Sequence, residues 1–158
     1  MRVVALDTQV LIWGVQGVAH HPDETIIRRA RKLIDDLTAE RARIVVPAIA
    51  LGEFLVKIPD EDRPRVHGII AESFHIAPFD FAAAQLAAKL KARFLSDSEL
   101  RQIGSRQVIK ADIQIVASAY TSQCAGIYSG DGDIIRIVAQ DLFPVWDLPQ
   151  GEQMTLFE

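Results

Sequence analysis

Residues 2–9 read Arg2-Val3-Val4-Ala5-Leu6-Asp7-Thr8-Gln9. Val3 to Leu6 is a short, partly β-branched apolar run, and the acid directly after it marks where the chain leaves a strand. A strand apolar at successive positions is covered on both faces, as in a parallel sheet lying between helix layers. Thr8 to Gly14 then mixes apolar positions without strict alternation, so the opening reads as strand, turn, short helix.

The same unit recurs along the chain. From Asp23, placed as an N-cap after Pro22, the positions Ile26, Ile27, Ala30, Leu33, Ile34 and Leu37 recur at helical spacing with charged residues between them. Arg43 to Val46 reads as a second strand, with Pro47 in a first helical turn and Ala48 to Lys57 as a helix carrying Glu53. A charged link, Pro59 to Pro64, leads to a helix over Val66 to Phe74, a strand over Phe74 to Phe79, and an Ala-rich helix over Phe81 to Phe94 started by Asp80. Ser96 to Ser105 reads as a polar loop. Gln107 to Gln123 is predicted helical, with Ile109, Ile113, Val116, Ala117 and Tyr120 on one face and Asp112 in its early turns. A strand at Ala125 to Ser129, the turn Gly130-Asp131-Gly132-Asp133, a short helix Ile134 to Ala139 and a strand Phe143 to Trp146 complete the pattern. Strands alternating with helices predict an α/β fold: a three-layer αβα sandwich on a mostly parallel sheet of about five strands. The domain is expected to span residues 1–147, with 148–158 as a polar tail.

Composition bounds the function. The 158 residues are 49% hydrophobic and 24% charged, enough apolar content for one buried core and too much for a disordered chain. One cysteine cannot form an internal disulfide framework, which points to a reducing cytoplasm. Asp7 interrupts the apolar stretch from Val3 to Val18, so neither a signal peptide nor a membrane anchor is expected there. With 17 Lys+Arg against 21 Asp+Glu the net charge is −4, so any attraction to nucleic acid must be local. The local candidate is residues 89–110, where Lys89, Lys91, Arg93, Arg101, Arg106 and Lys110 outnumber Asp97 and Glu99. A solvated helix face explains the same run.

In open α/β sheets the ligand site lies beyond the carboxyl ends of the strands. Asp7 follows the first strand directly, and Asp131 follows the fourth across Ser129-Gly130. Glu53 lies one helical turn or so beyond the second strand, and Asp112 starts the helix leading into the fourth, so both can reach the same edge and four carboxylates can converge there. Two unit charges about 5 Å apart at an effective dielectric of ~20 repel by roughly 3 kcal/mol, a cost that a bound cation removes. Oxygen-only donors favour Mg²⁺ or Mn²⁺ over Zn²⁺. Such ions position a phosphodiester, acidify an attacking water and stabilise the leaving oxygen, so the implied chemistry is phosphodiester hydrolysis. Each acid has an ordinary alternative as a helix N-cap or turn former. Glu53 is the most informative, because Ala48 to Gly52 and Phe54 to Val56 surround it with uncharged, mostly apolar residues; it needs a partner or an aqueous cleft.

Four segments also carry a resemblance: residues 4–12 (Val-Ala-Leu-Asp-Thr-Gln-Val-Leu-Ile), Leu51-Gly52-Glu53-Phe54, residues 110–119 (Lys-Ala-Asp-Ile-Gln-Ile-Val-Ala-Ser-Ala) and Ser129-Gly130-Asp131-Gly132-Asp133. In order, spacing and strand or helix context they resemble the acidic motifs of the PIN-domain nucleases, over nearly the whole chain up to Trp146. The resemblance implies metal-dependent cleavage of RNA. It carries over Asp7 and Asp112 as metal-holding acids, Asp131 as the acid completing the site, and Glu53 as the group that orients or deprotonates water. Thr8 and Ser129 become supporting hydroxyls. Asp133 offers a second acid beside Asp131, and which of the two faces the metal stays open. Gln9 departs from the Asn or Ser often found after the Asp-Thr pair.

The size resembles the toxin subunits of VapBC-type toxin–antitoxin pairs, which implies a homodimer inhibited by a small antitoxin protein. The competing expectation is a non-catalytic RNA- or protein-binding domain on the same fold. In the tail, Gln153-Met154-Thr155-Leu156-Phe157 resembles the short peptides that dock into the sliding clamp of DNA replication. His20, His21, His67 and His75 lack metal-ligand spacing, and Cys124 reads as a small buried hydrophobe.

Overall fold

The computed structural model describes residues 1–130 and 132–150. Asp131 and the tail segment Gln153 to Phe157 lie outside the described residues. Five strands form one sheet: β1 (Val3–Leu6), β2 (Arg43–Pro47), β3 (His75–Ala77), β4 (Ile127–Tyr128) and β5 (Val145–Trp146). Their order is β3-β2-β1-β4-β5, and every pairing is parallel. The chain builds outward from β1 through β2 to β3, then returns to the other side of β1. That reversal opens a crevice between the carboxyl ends of β1 and β4.

The helices are α1 (Thr8–Leu11), α2 (Ile26–Ala39), α3 (Ala48–Leu55), α4 (Arg63–Ser73), α5 (Phe81–Phe94), α6 (Ser98–Ile103), α7 (Arg106–Thr121) and α8 (Asp133–Val138). A π-helical turn, Ile12–Gln16, follows α1 and stops at Gly17, whose φ of 79° a side chain would rarely accept. Strand alternation sorts the core into two layers. Val4, Leu6, Ile44, Val46 and Tyr128 face α1, α2 and α4. Ala5, Val45, Ala77 and Ile127 face α5, α7 and α8. The αβα sandwich expected from the sequence is thus present, because the β1 and β2 cores are apolar on both faces.

Several local readings are corrected. Helix α2 begins at Ile26 with Thr25 as its cap residue; Asp23 instead accepts from the Thr25 amide and hydroxyl and pairs with Arg29 at 2.6 Å. Pro47 ends β2 and precedes α3 rather than sitting inside its first turn. The expected loop at 96–105 contains α6, capped by Asp97 and held by the fully buried Leu100. Tyr120 turns out of the α7 core face, 42% exposed, and meets Phe143 edge-on. Leu148, assigned to the tail from sequence, is buried, and Arg29 donates to the carbonyls of Leu148 and Pro149. Cys124 is buried, as expected. Among the described residues no helix is long and apolar enough to cross a membrane.

Candidate active site

Asp7 leaves β1 at the crevice and caps α1. Its backbone N–H donates to the Tyr128 carbonyl of β4 (3.0 Å), so the sheet itself fixes the start of the site. Its Oδ1 accepts from the Thr8 N–H (2.6 Å), and its Oδ2 accepts from the Ser129 hydroxyl (2.9 Å). The ordinary N-cap reading of Asp7 is therefore part of the answer: the cap orients one oxygen, and a hydroxyl from the neighbouring strand end orients the other. Burial raises the Asp7 pKa, the Thr8 and Ser129 donors oppose that rise, and the Glu53 charge adds to it.

The close approach of Ser129 depends on two glycines. A Cβ on Gly132 would run into the Ser129 side chain, and one on Gly130 would run into the Trp13 indole. Trp13 is buried beneath this turn, so its place is in the core.

Helix α3 brings Glu53 to the same edge, where it is exposed and its Oε2 accepts from the Thr8 hydroxyl (3.3 Å). Of the two options open to this acid, a partner or an aqueous cleft, the fold supplies both. Helix α7 brings Asp112. Its pKa is pushed up to about 8, first by burial and then by the charges of Asp7 and Glu53. Asp7, Glu53 and Asp112 line one cleft of about 310 Å³.

Asp133 is exposed at the first residue of α8, and its neighbours Gly132 and Ile134 line this cleft. The lining groups that the sequence did not mark include Lys57 in the turn after α3, Ile103 and Val108 from α6 and α7, and Ile134 and Ile135 from α8. Lys57 stands four residues after Glu53, a spacing that signals a shared helix face. A larger cleft of about 420 Å³ at the opposite sheet edge, near Val3, Arg43 and His75, is lined by no carboxylate side chain.

A model of the PIN domain family matches residues 4–140. The chain belongs to the PIN domain family. This PIN domain shares its fold with a chain of the VapBC2 complex of Rickettsia felis bound to a DNA fragment from its promoter. That match has TM-score 0.60 and 17% identity, and covers 92% of this chain and 99% of that one. A chain of the DNA-bound VapBC of Salmonella typhimurium matches with TM-score 0.66 and 16% identity, over 94% of this chain and 100% of that one. At these identities the likeness concerns the fold. No curated protein matches the sequence.

A divalent ion is the group this family implies. Among the described residues, no group of three or more His, Cys, Asp or Glu side chains is arranged to hold a metal ion. The three acids share a cleft without closing into a cage. Their chemistry nevertheless fits a hard cation: all donors are oxygens, and the Asp112 pKa, raised first by burial, is raised further by the charges of Asp7 and Glu53, a repulsion that such a cation relieves.

Proposed function

We propose that this PIN domain is a Mg²⁺- or Mn²⁺-dependent endoribonuclease, acting as the toxin of a type II toxin–antitoxin pair. The single observation that carries the reading is the convergence of Asp7, Glu53 and Asp112 on one cleft at the topological switch of the sheet. In this reading Asp7, Asp112, Asp131 and Glu53 hold the metal and form the catalytic set, with Thr8, Ser129 and Asp133 in support. When bound, the metal supplies charge neutralisation at the phosphodiester and an acidified water.

The chain's own residues supply positioning. Ser129 and the Thr8 amide hold both Asp7 oxygens against rotation, so the acid meets its ligand already ordered. Thr8 ties Glu53 to the same turn, which leaves the second Glu53 oxygen to accept a proton from water. Asp112, whose pKa burial and the charges of Asp7 and Glu53 push up to about 8, would hold the metal as a carboxylate, so binding would be linked to release of its proton.

That the solved chains sharing this fold come from VapBC complexes supports an antitoxin as partner, and in this reading the working form is a homodimer. The competing non-catalytic reading draws on the open arrangement of the acids among the described residues.

Incubating single-stranded and structured RNAs with the protein in Mg²⁺, Mn²⁺ or EDTA separates the two. Metal-dependent cutting supports the nuclease. Stabilisation by metal with every RNA left intact supports the binding domain.

A further inference from the structure

The turn that joins β4 to α8 fixes Asp7 through the Ser129 hydroxyl, yet two of its residues are glycines. Without a Cβ at Gly130 or Gly132, the backbone between Ser129 and α8 has little stiffness of its own. Ligands of a metal must be held to within about 0.5 Å, so the turn needs support from outside itself.

That support is Trp13. A Cβ on Gly130 would overlap the ring atoms Cη2 and Cζ3 of Trp13, so the glycine backbone rests directly on the indole. The indole is 3% exposed and also meets the His21 ring edge-on, with 5.4 Å between centroids. A flat ring locked into a close-packed core gives a firm floor.

The same ring is tied to Asp7 along the chain. Helix α1 is capped by Asp7 and runs without a break into the π-helical turn Ile12–Gln16, which the Gly17 N–H closes on the Ile12 carbonyl at 2.9 Å. Trp13 stands six residues after Asp7 on this one segment. The segment therefore meets the site twice, once through the acid that caps it and once through the indole under the turn. Asp7, Trp13 and Ser129, the side chains that close this circuit, are all buried. Core filling alone asks only for apolar volume. It does not ask for a rigid ring beneath the glycine that directly precedes Asp131, nor for a π turn, a feature that gathers at functional sites.

Resting on the metal-site reading of the acids, we propose that Trp13 is a positioning residue of this site. Its indole sets where the Ser129–Gly132 turn stands relative to Asp7, and through that placement it sets the affinity for the metal. Buried as it is, Trp13 acts through the turn and touches neither metal nor substrate.

The test is calorimetric titration of Mn²⁺ into the full chain as wild type, Trp13→Leu, Gly130→Ala and the pair, at a temperature where all are folded. Leu37→Ala is the control, because Leu37 belongs to the same core layer but stands in the last turn of α2, just before β2. Trp13→Leu and Gly130→Ala should each weaken Mn²⁺ binding about tenfold, the range for groups that orient metal ligands. The pair should return to within about threefold of the wild type, since the added methyl group fills part of the space the indole leaves. Leu37→Ala should lower the Tm and leave Mn²⁺ affinity unchanged. In the metal-free protein, amide exchange at Ser129, Gly130 and Gly132 should quicken at least about tenfold in Trp13→Leu and not in Leu37→Ala. Trp13→Phe keeps an aromatic ring, serves where Trp13→Leu does not fold, and should fall between Trp13→Leu and the wild type.

Unchanged Mn²⁺ affinity in a folded Trp13 variant, additive losses in the pair, or an equal loss in Leu37→Ala would overturn the proposal. Metal-dependent RNA cutting with Mn²⁺ affinity indifferent to these substitutions removes the positioning role and leaves the nuclease standing. Coupled losses of Mn²⁺ affinity, with no RNA cut in any metal, keep the role and remove the nuclease.

Discussion

The Ser129 hydroxyl donates to Asp7 Oδ2 at 2.9 Å, joining the ends of β4 and β1 across 122 positions of sequence. Both residues are buried, so this bond fixes the rotamer of the acid and offsets part of its desolvation. Ser129→Ala should cost about 1.5–3 kcal/mol of stability, the range for a hydrogen bond to a charged group. It should also weaken Mn²⁺ binding, since Asp7 would be both freer to rotate and harder to ionise. Urea unfolding and metal titration of the variant check the two effects separately.

Gly130 faces the Trp13 indole so closely that a methyl group has no room. Gly130→Ala should therefore destabilise by about 1–3 kcal/mol through overpacking. Trp13→Leu in the same chain should recover part of that loss, although Trp13→Leu alone is destabilising. A double-mutant cycle by denaturant unfolding measures the coupling, and additive effects would mean that the two residues do not meet.

Asp112 links stability to pH. Its pKa rises from 3.8 in the reference state to about 8 in the fold, so between these values the native chain binds more protons than the unfolded chain. Stability of the metal-free protein must then fall as pH rises through that window. Asp112→Asn should raise the metal-free Tm most at pH 8.5, clearly less at pH 5, where the difference in bound protons has only begun to act, and barely at all below the unfolded pKa of 3.8. Scanning calorimetry at these pH values tests this. Added Mn²⁺ should reverse the order at pH 8.5, because only the wild type gains by binding it.

Helix α6 is a test of a different kind. Asp97 accepts from the amides of Glu99 (2.9 Å) and Leu100 (3.1 Å), and Leu100 is fully buried. Asp97→Ala should cost about 1 kcal/mol and lower the Tm by roughly 2–4 °C. Faster amide exchange across Ser98–Ile103 should accompany the loss, and the rest of the chain should be unaffected.

These residues also show what could be read from sequence. The strand β1 and the helices α5 and α7 were legible because their apolar spacing and capping residues agree: Asp80 accepts from the Ala83 amide, as its place before Phe81 suggested. Helix α6 was not legible, since six residues with one buried side chain give no period, and only the Asp97 cap marks it. Asp23 misled for a related reason. Its carboxylate serves Thr25 and Arg29, which hold its pKa down to about 2, so an N-cap residue type was present without being the cap.

Among the residues lining the candidate cleft, the places of Asp7, Glu53 and Asp112, after strands and early in α7, were legible. Lys57, Ile103 and Val108 were not, because membership of a cleft wall depends on how α3, α6 and α7 meet. No local pattern encodes that meeting.

The most direct measurement is cleavage of end-labelled single-stranded RNA by the wild type and by Asp112→Asn, each in Mg²⁺, Mn²⁺ and EDTA, with folding matched by thermal melts. The account predicts cutting by the wild type in Mg²⁺ or Mn²⁺, none in EDTA, and a loss of at least about a hundredfold in the variant. Undiminished cutting by Asp112→Asn, or cutting by the wild type that persists in EDTA, would contradict it.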